Sequence, residues 1–144
     1  MKTNKPKPIS VSILMGLIII QGLSGISGGA GLILDPSGKS MKIPISWLDG
    51  SPFSDYLIPG LILLFVLGVF PLVVFYGLLK QTSWSWPAAL MVGIVLVIWI
   101  GVEILIIGYQ PRPPLQLIYG TLGILILVFV WLPSVRRYYN FGSA

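Results

Sequence analysis

The chain has no cysteine and no histidine, and only 9% of its residues are charged. Without cysteine it forms no disulfide, no thiol redox pair and no thiolate metal site. Without histidine it has no Ser–His–Asp triad and no imidazole ligand for zinc or haem. The small four-helix thiol and quinone oxidoreductases, which work through cysteine pairs, are disfavoured on the same ground. Acid is also scarce: Asp35, Asp49, Asp55 and Glu103 are the whole set. The three aspartates do not have the spacing of a calcium loop, and turn and cap roles account for them. The glycine-rich run lies inside an apolar stretch with no Lys-Ser/Thr after it, so it is no phosphate cradle. No metal, no cofactor and no activated nucleophile are expected, which argues against an enzyme.

Soluble domains carry about 25% charged residues. This chain is 56% hydrophobic, and its charge is too sparse to coat a water-facing surface. Four apolar runs stand out: Ile9–Leu34, Leu57–Leu79, Pro87–Tyr109 and Leu115–Val135. A hydrocarbon core about 30 Å thick needs about 20 apolar residues of helix to span it. The expected fold is therefore all-α, an integral membrane four-helix bundle that uses residues 1–144 as one domain. The first run is longer than the apolar core of a signal peptide, about 7–15 residues, and is expected to be retained as a helix.

Small residues crowd the first run. Gly22, Gly25, Gly28 and Gly29 are expected to let another helix approach closely, because lipid provides no hydrophobic drive between helices. Asp35-Pro36-Ser37-Gly38 and Asp49-Gly50-Ser51-Pro52 read as turns. They bracket a loop, 35–55, expected to lie as an ordered lid with Trp47 in the headgroup layer. Ser54 or Asp55 is placed to cap the second helix. Pro71 removes a backbone donor in mid-helix and should kink it. The Gln110–Pro114 segment, with three prolines, forms a rigid hinge, and Pro133 ends the fourth helix before a foot containing Arg136, Arg137, Tyr138 and Tyr139.

Cations set orientation in membranes. With the N-terminus inside, Lys2, Lys5, Lys7, Lys80, Arg136 and Arg137 share the cytoplasmic side, against Lys39, Lys42 and Arg112 outside. Both termini are thus expected to be cytoplasmic and the loop 35–55 external, in a cell membrane of bacterial inner-membrane type. The basic residues sit at loop ends rather than on one face, so nucleic acid is not an expected partner. Membrane lipid is, together with a second copy or another membrane protein.

Glu103 is the ionisable residue at membrane depth. It lies six residues before Tyr109, about 9 Å along a helix at 1.5 Å per residue. An ionised carboxylate there costs several kcal/mol unless paired, which makes it a functional candidate. Gln21 reaches a similar depth, and Arg112 and Gln116 lie just above. Tyr109 can anchor the interface or hydrogen-bond the carboxylate. The expectation is a polar cluster of Glu103, Gln21, Arg112, Tyr109 and Gln116, acting either as a structural lock or as a site for a proton, cation or ligand.

The layout resembles the DoxX-like group of small four-helix bacterial membrane proteins. The resemblance rests on the Gly-rich first helix running into Asp35-Pro36-Ser37-Gly38, then a loop and a second helix opening near Pro59-Gly60. It implies a role that is poorly defined in that group, often as an accessory subunit of membrane redox systems. Two functions are expected: an accessory or scaffold subunit, or alternatively a small proton-coupled transporter with a cavity centred on Glu103.

Overall fold

The computed structural model describes residues 6–110 and 114–139, and among them it is all-helical. Helix α1 covers Ile9–Leu34. Two single 3₁₀ turns, Lys39–Met41 and Ile45–Leu48, lie in the connection that follows. Helix α2 (Leu57–Leu64) passes through a π-turn at Phe65–Val69 into α3 (Phe70–Leu79), so the three form one rod. Then come α4 (Ser85–Ile107), α5 (Leu115–Trp131) and the short α6 (Pro133–Tyr138).

Three rods are long and apolar enough to cross a membrane: Ile9–Leu34, Leu57–Leu79 and Ser85–Ile107. The third begins two residues before the expected Pro87 and stops two before Tyr109, at Ile107; Gly108 follows as its cap with φ of 73°, a backbone that favours glycine. The fourth run departs further. Instead of reaching Val135 it stops at Trp131, after 17 residues, and Leu132 turns extended with ψ at 136°. The cause is Pro133, which disfavours helical backbone in the residue before it. Pro133 then opens α6, where its missing N–H costs nothing.

The rods alternate in direction and pack as a ring. Helix α1 lies against the α2–α3 rod and against α5, and α4 lies against α3 and α5. Residues with no exposed surface, such as Val11, Leu14, Ile18, Val74, Ala89, Ile126 and Val130, fill the middle. Apolar side chains also cover the outside: Leu23, Phe65, Ile98, Leu117 and Ile124 are each more than half exposed. An apolar exterior of this kind is compatible with a membrane-spanning bundle.

The tightest contact is between α1 and the first half of the α2–α3 rod. Gly22, Gly25, Gly29 and Leu32 repeat at spacings of three and four, one stripe of α1. Against them stand Gly68, Leu67, Leu64 and Gly60. A Cβ at Gly25 would collide with the Leu67 carbonyl, and one at Gly68 would sit 2.8 Å from the Ile26 nitrogen. Backbone therefore lies on backbone. Gly28 sits beside the stripe and faces the Leu63 side chain.

Gly25→Ala is expected to destabilise the fold by about 1–3 kcal/mol, the usual cost of overpacking. Gly16→Ala, where a Cβ meets nothing within 4 Å, should instead be neutral or stabilising by up to about 1 kcal/mol. Unfolding in detergent micelles followed by circular dichroism measures both.

Candidate functional site

Among the described residues, Gln21 and Gln116 do not pair with Glu103 as expected. Gln21 is 2% exposed, and its amide nitrogen donates to the Leu67 carbonyl at 2.9 Å. Leu67 stands four residues before Pro71, so an unbroken α-helix would have paired its carbonyl with the N–H that proline lacks. Gln21 is thus the neighbour that satisfies this oxygen, and it is not a partner of Glu103. The π-turn at Phe65–Val69 sits at the same place, as π-turns do where the α-helical ladder is interrupted. The other amide atom of Gln21, Oε1, is buried with no partner among the described residues.

Gln116 is also diverted. Buried to 5% exposure, it accepts from the Gln110 N–H at 2.7 Å and donates to the Gly108 carbonyl at 3.2 Å. Gln110 in turn donates its side-chain amide to the Ile107 carbonyl at 2.7 Å. These bonds satisfy the end of α4, where four carbonyls have no partner within the helix. Tyr109 is half exposed. Arg112 lies outside the described residues.

Glu103 is half-buried on the last part of α4, beyond Ile100, the last buried residue of that helix. Its polar neighbour on α4 is Trp99, one turn earlier. Its neighbour from elsewhere is Tyr56, which the sequence reading passed over. Burial lifts the Tyr56 phenol above its ordinary value, and the charge of Glu103 pushes the same way. The Tyr56 hydroxyl donates to the Pro44 carbonyl at 2.7 Å, and its N–H donates to Pro36 at 2.8 Å. Tyr56 therefore ties the loop to the start of α2, and the 3₁₀ turn Ile45–Leu48 packs on α4.

The loop folds around Asp35. Its carboxylate accepts from the Ser37 hydroxyl at 2.6 Å and from the Ser40 N–H at 2.9 Å. Those two bonds, the hydroxyl first, hold Asp35 below the ordinary carboxylate value. Gly38 has φ of 79°, and a Cβ there would meet the Ile43 carbonyl at 2.6 Å. Asp55 accepts from the Leu57 N–H at 3.0 Å, at the entry to α2.

At the opposite end, side chains close the helix termini. The Trp86 indole donates to the Val130 carbonyl at 2.9 Å, and the Tyr139 hydroxyl to the Leu78 carbonyl at 2.9 Å. Burial raises the Tyr139 phenol well above its ordinary range. The Ser10 and Ser134 hydroxyls meet at 2.6 Å, joining α1 to α6. Trp86 and Trp131 stack edge to face at 5.2 Å, and Arg136 lies 5.7 Å from the Trp131 ring centre. Comparison of the chain with protein-family profiles, with characterised proteins and with solved structures finds no match.

The pairing of Gln21 with the proline gap is open to a double-mutant cycle. Gln21→Leu alone is expected to cost about 1–2 kcal/mol, because it strands a buried carbonyl. In a Pro71→Ala background residue 71 can again donate to Leu67, and the same change should cost measurably less. Chemical unfolding of the four variants in micelles gives the coupling, and equal costs in both backgrounds would refute the pairing.

Proposed function

We propose that the chain is an integral membrane four-helix bundle, with both termini cytoplasmic, that serves as an accessory or scaffold subunit. The observation carrying this reading is the fate of its buried polar groups. Gln21, Trp86 and Gln116 each bond backbone carbonyls. Where lipid replaces water, every carbonyl needs an internal partner, and these side chains meet that demand. Polar groups used this way hold helices together and leave no donor pointed at a substrate.

The apolar exterior supports lipid as the surrounding medium. Charge supports the orientation: Lys7, Lys80, Arg136 and Arg137 belong to one end, and every acidic residue belongs to the other. The fourth rod is a short span of 17 residues. Its break at Leu132 lets α6 turn into the interface, and a short span is accommodated by local thinning of the bilayer.

The absence of cysteine makes the topology easy to test. Ser46→Cys in the loop should react with a membrane-impermeant maleimide in intact cells. Ser83→Cys in the α3–α4 turn should react only after permeabilisation. The reverse pattern refutes the orientation, and labelling of neither site in permeabilised membranes refutes exposure of the loops.

A second reading is favoured by Glu103, which lies half-buried beside Tyr56 and Trp99. A carboxyl so placed under a loop suits a proton-coupled transport site. Glu103→Gln separates the two in proteoliposomes. The scaffold reading expects no proton-driven cation flux in the wild type and a change in thermal midpoint in the variant. Wild-type flux that disappears in a variant of unchanged midpoint would establish the transporter instead.

A further inference from the structure

The core-facing side of α4 is one stripe. Trp86, Ala89, Gly93, Leu96 and Ile100 recur at spacings of three and four, and all are buried. Continued toward the loop, the same spacing reaches Glu103 and Ile107, the two residues of the stretch 101–107 that are not exposed. Glu103 therefore lies on the face that the core uses further down the helix. It is nevertheless only half-buried, so the interior beside it is not filled. The packing explains the space. Helix α2 lies along α1 and scarcely touches α4 or α5. What reaches α4 from that side is the π-turn and the 3₁₀ turn Ile45–Leu48, which carries Trp47. On α5 the position near Ile100 is Gly120, where a Cβ would meet only the Ile100 side chain, at 3.5 Å. The loop thus spans a part of the bundle that packed helices do not close.

The surroundings of Glu103 select a class of ligand. Among the described residues no Lys or Arg pairs with it; its polar neighbour is the Trp99 indole, one turn earlier. A carboxylate has about four acceptor sites, so one N–H leaves it with acceptors to spare. A hard metal ion such as calcium takes about 6–8 oxygen ligands, and among the described residues no group of three acidic side chains gathers to supply them. One carboxylate set in apolar and aromatic surface suits an organic ammonium instead. Such an ion needs one counter-charge, a ring face and an apolar wall.

We propose that the loop end of the bundle binds a hydrophobic organic cation, whose charge meets the Glu103 carboxylate and whose apolar body lies against Trp99 and Ile107. Tyr56 closes the site from the loop side. Its phenol senses the charge of Glu103, and its hydroxyl holds the Pro44 carbonyl, at the entry to the 3₁₀ turn packed on α4. The loop is then the cover of the site, and the glycine at position 120 is the room within it.

The proposal deepens the second reading above: it rests on Glu103 as the centre of a site, and it requires binding but not transport. The full chain in neutral maltoside micelles is dialysed to equilibrium against radiolabelled benzyltributylammonium. The wild type is expected to bind it saturably. Glu103→Gln should lower the affinity about tenfold, the loss of a charge-assisted contact. Trp99→Leu should lower it about threefold, the worth of one cation–ring contact, and serves if the first variant does not fold. Asp49→Asn, an exposed acid in the same loop, should change nothing. No saturable binding by the wild type, wild-type affinity in both Glu103→Gln and Trp99→Leu, or an equal loss in Asp49→Asn, overturns the site. Displacement by sodium or potassium chloride at equal concentration overturns the organic cation as its ligand. Proteoliposomes separate the two claims. Binding without proton-driven cation flux fails the transport reading alone, and flux without binding fails this proposal alone.

Discussion

One carbonyl oxygen organises half of this structure. Proline at position 71 leaves the Leu67 carbonyl without its α-helical donor. A π-turn opens the rod just before the proline, and α1 crosses there with its backbone in contact. Two residues of α1 one turn apart meet that oxygen: Gln21 supplies the donor and Gly25 supplies the room. A buried amide bond of this kind contributes about 1 kcal/mol, but a stranded carbonyl costs about 1–3 kcal/mol. The asymmetry explains why the three features belong together. Remove the amide and the proline becomes a defect, and remove the glycine and the amide cannot reach. The amide orientation is forced as well, because only its nitrogen side can face a carbonyl.

From that crossing the two ends develop differently. Toward the foot, α1, α3, α4 and α5 all bury side chains in one core, and Trp86, Tyr139 and Ser134 bridge the helix ends. Toward the loop the core thins. Helix α4 buries nothing beyond Ile100, and Leu105 is 86% exposed. What holds this end is the glycine stripe between α1 and α2, together with the hydrogen bonds that Asp35 and Tyr56 make within the loop.

The sequence disclosed the helical rods because long apolar runs are a one-dimensional signal. The first two are bounded as the residues suggest, at Ile9–Leu34 and Leu57–Leu79. The end of the fourth was legible in Pro133 but was set too late, since the residue before a proline is the one forced out of the helix. The partners of Gln21 and Gln116 were not legible. Depth along a helix says how far a side chain lies from the interface, whereas pairing depends on which face it presents and which rod crosses there. A clue did exist for Gln21: a mid-helix proline creates a carbonyl that needs a donor, and a lone amide in a neighbouring apolar run can provide one. No comparable clue marked Tyr56, whose role depends on how the loop folds back onto Pro36 and Pro44.

These placements change what Glu103 can be. Of the groups expected to lock Glu103, Gln21 is engaged elsewhere and Arg112 lies outside the described residues. Glu103 instead belongs to the part of α4 that the core does not hold, and its neighbour from another element is a loop-bound tyrosine. The hydroxyl of that tyrosine is already donated to Pro44, so the carboxylate is not its hydrogen-bond acceptor. What acts between them is the charge of Glu103, which adds to burial in raising the Tyr56 phenol. The core buries no side chain of α4 beyond Ile100, whereas at the foot Trp86, Tyr139 and Ser134 bridge the helix ends.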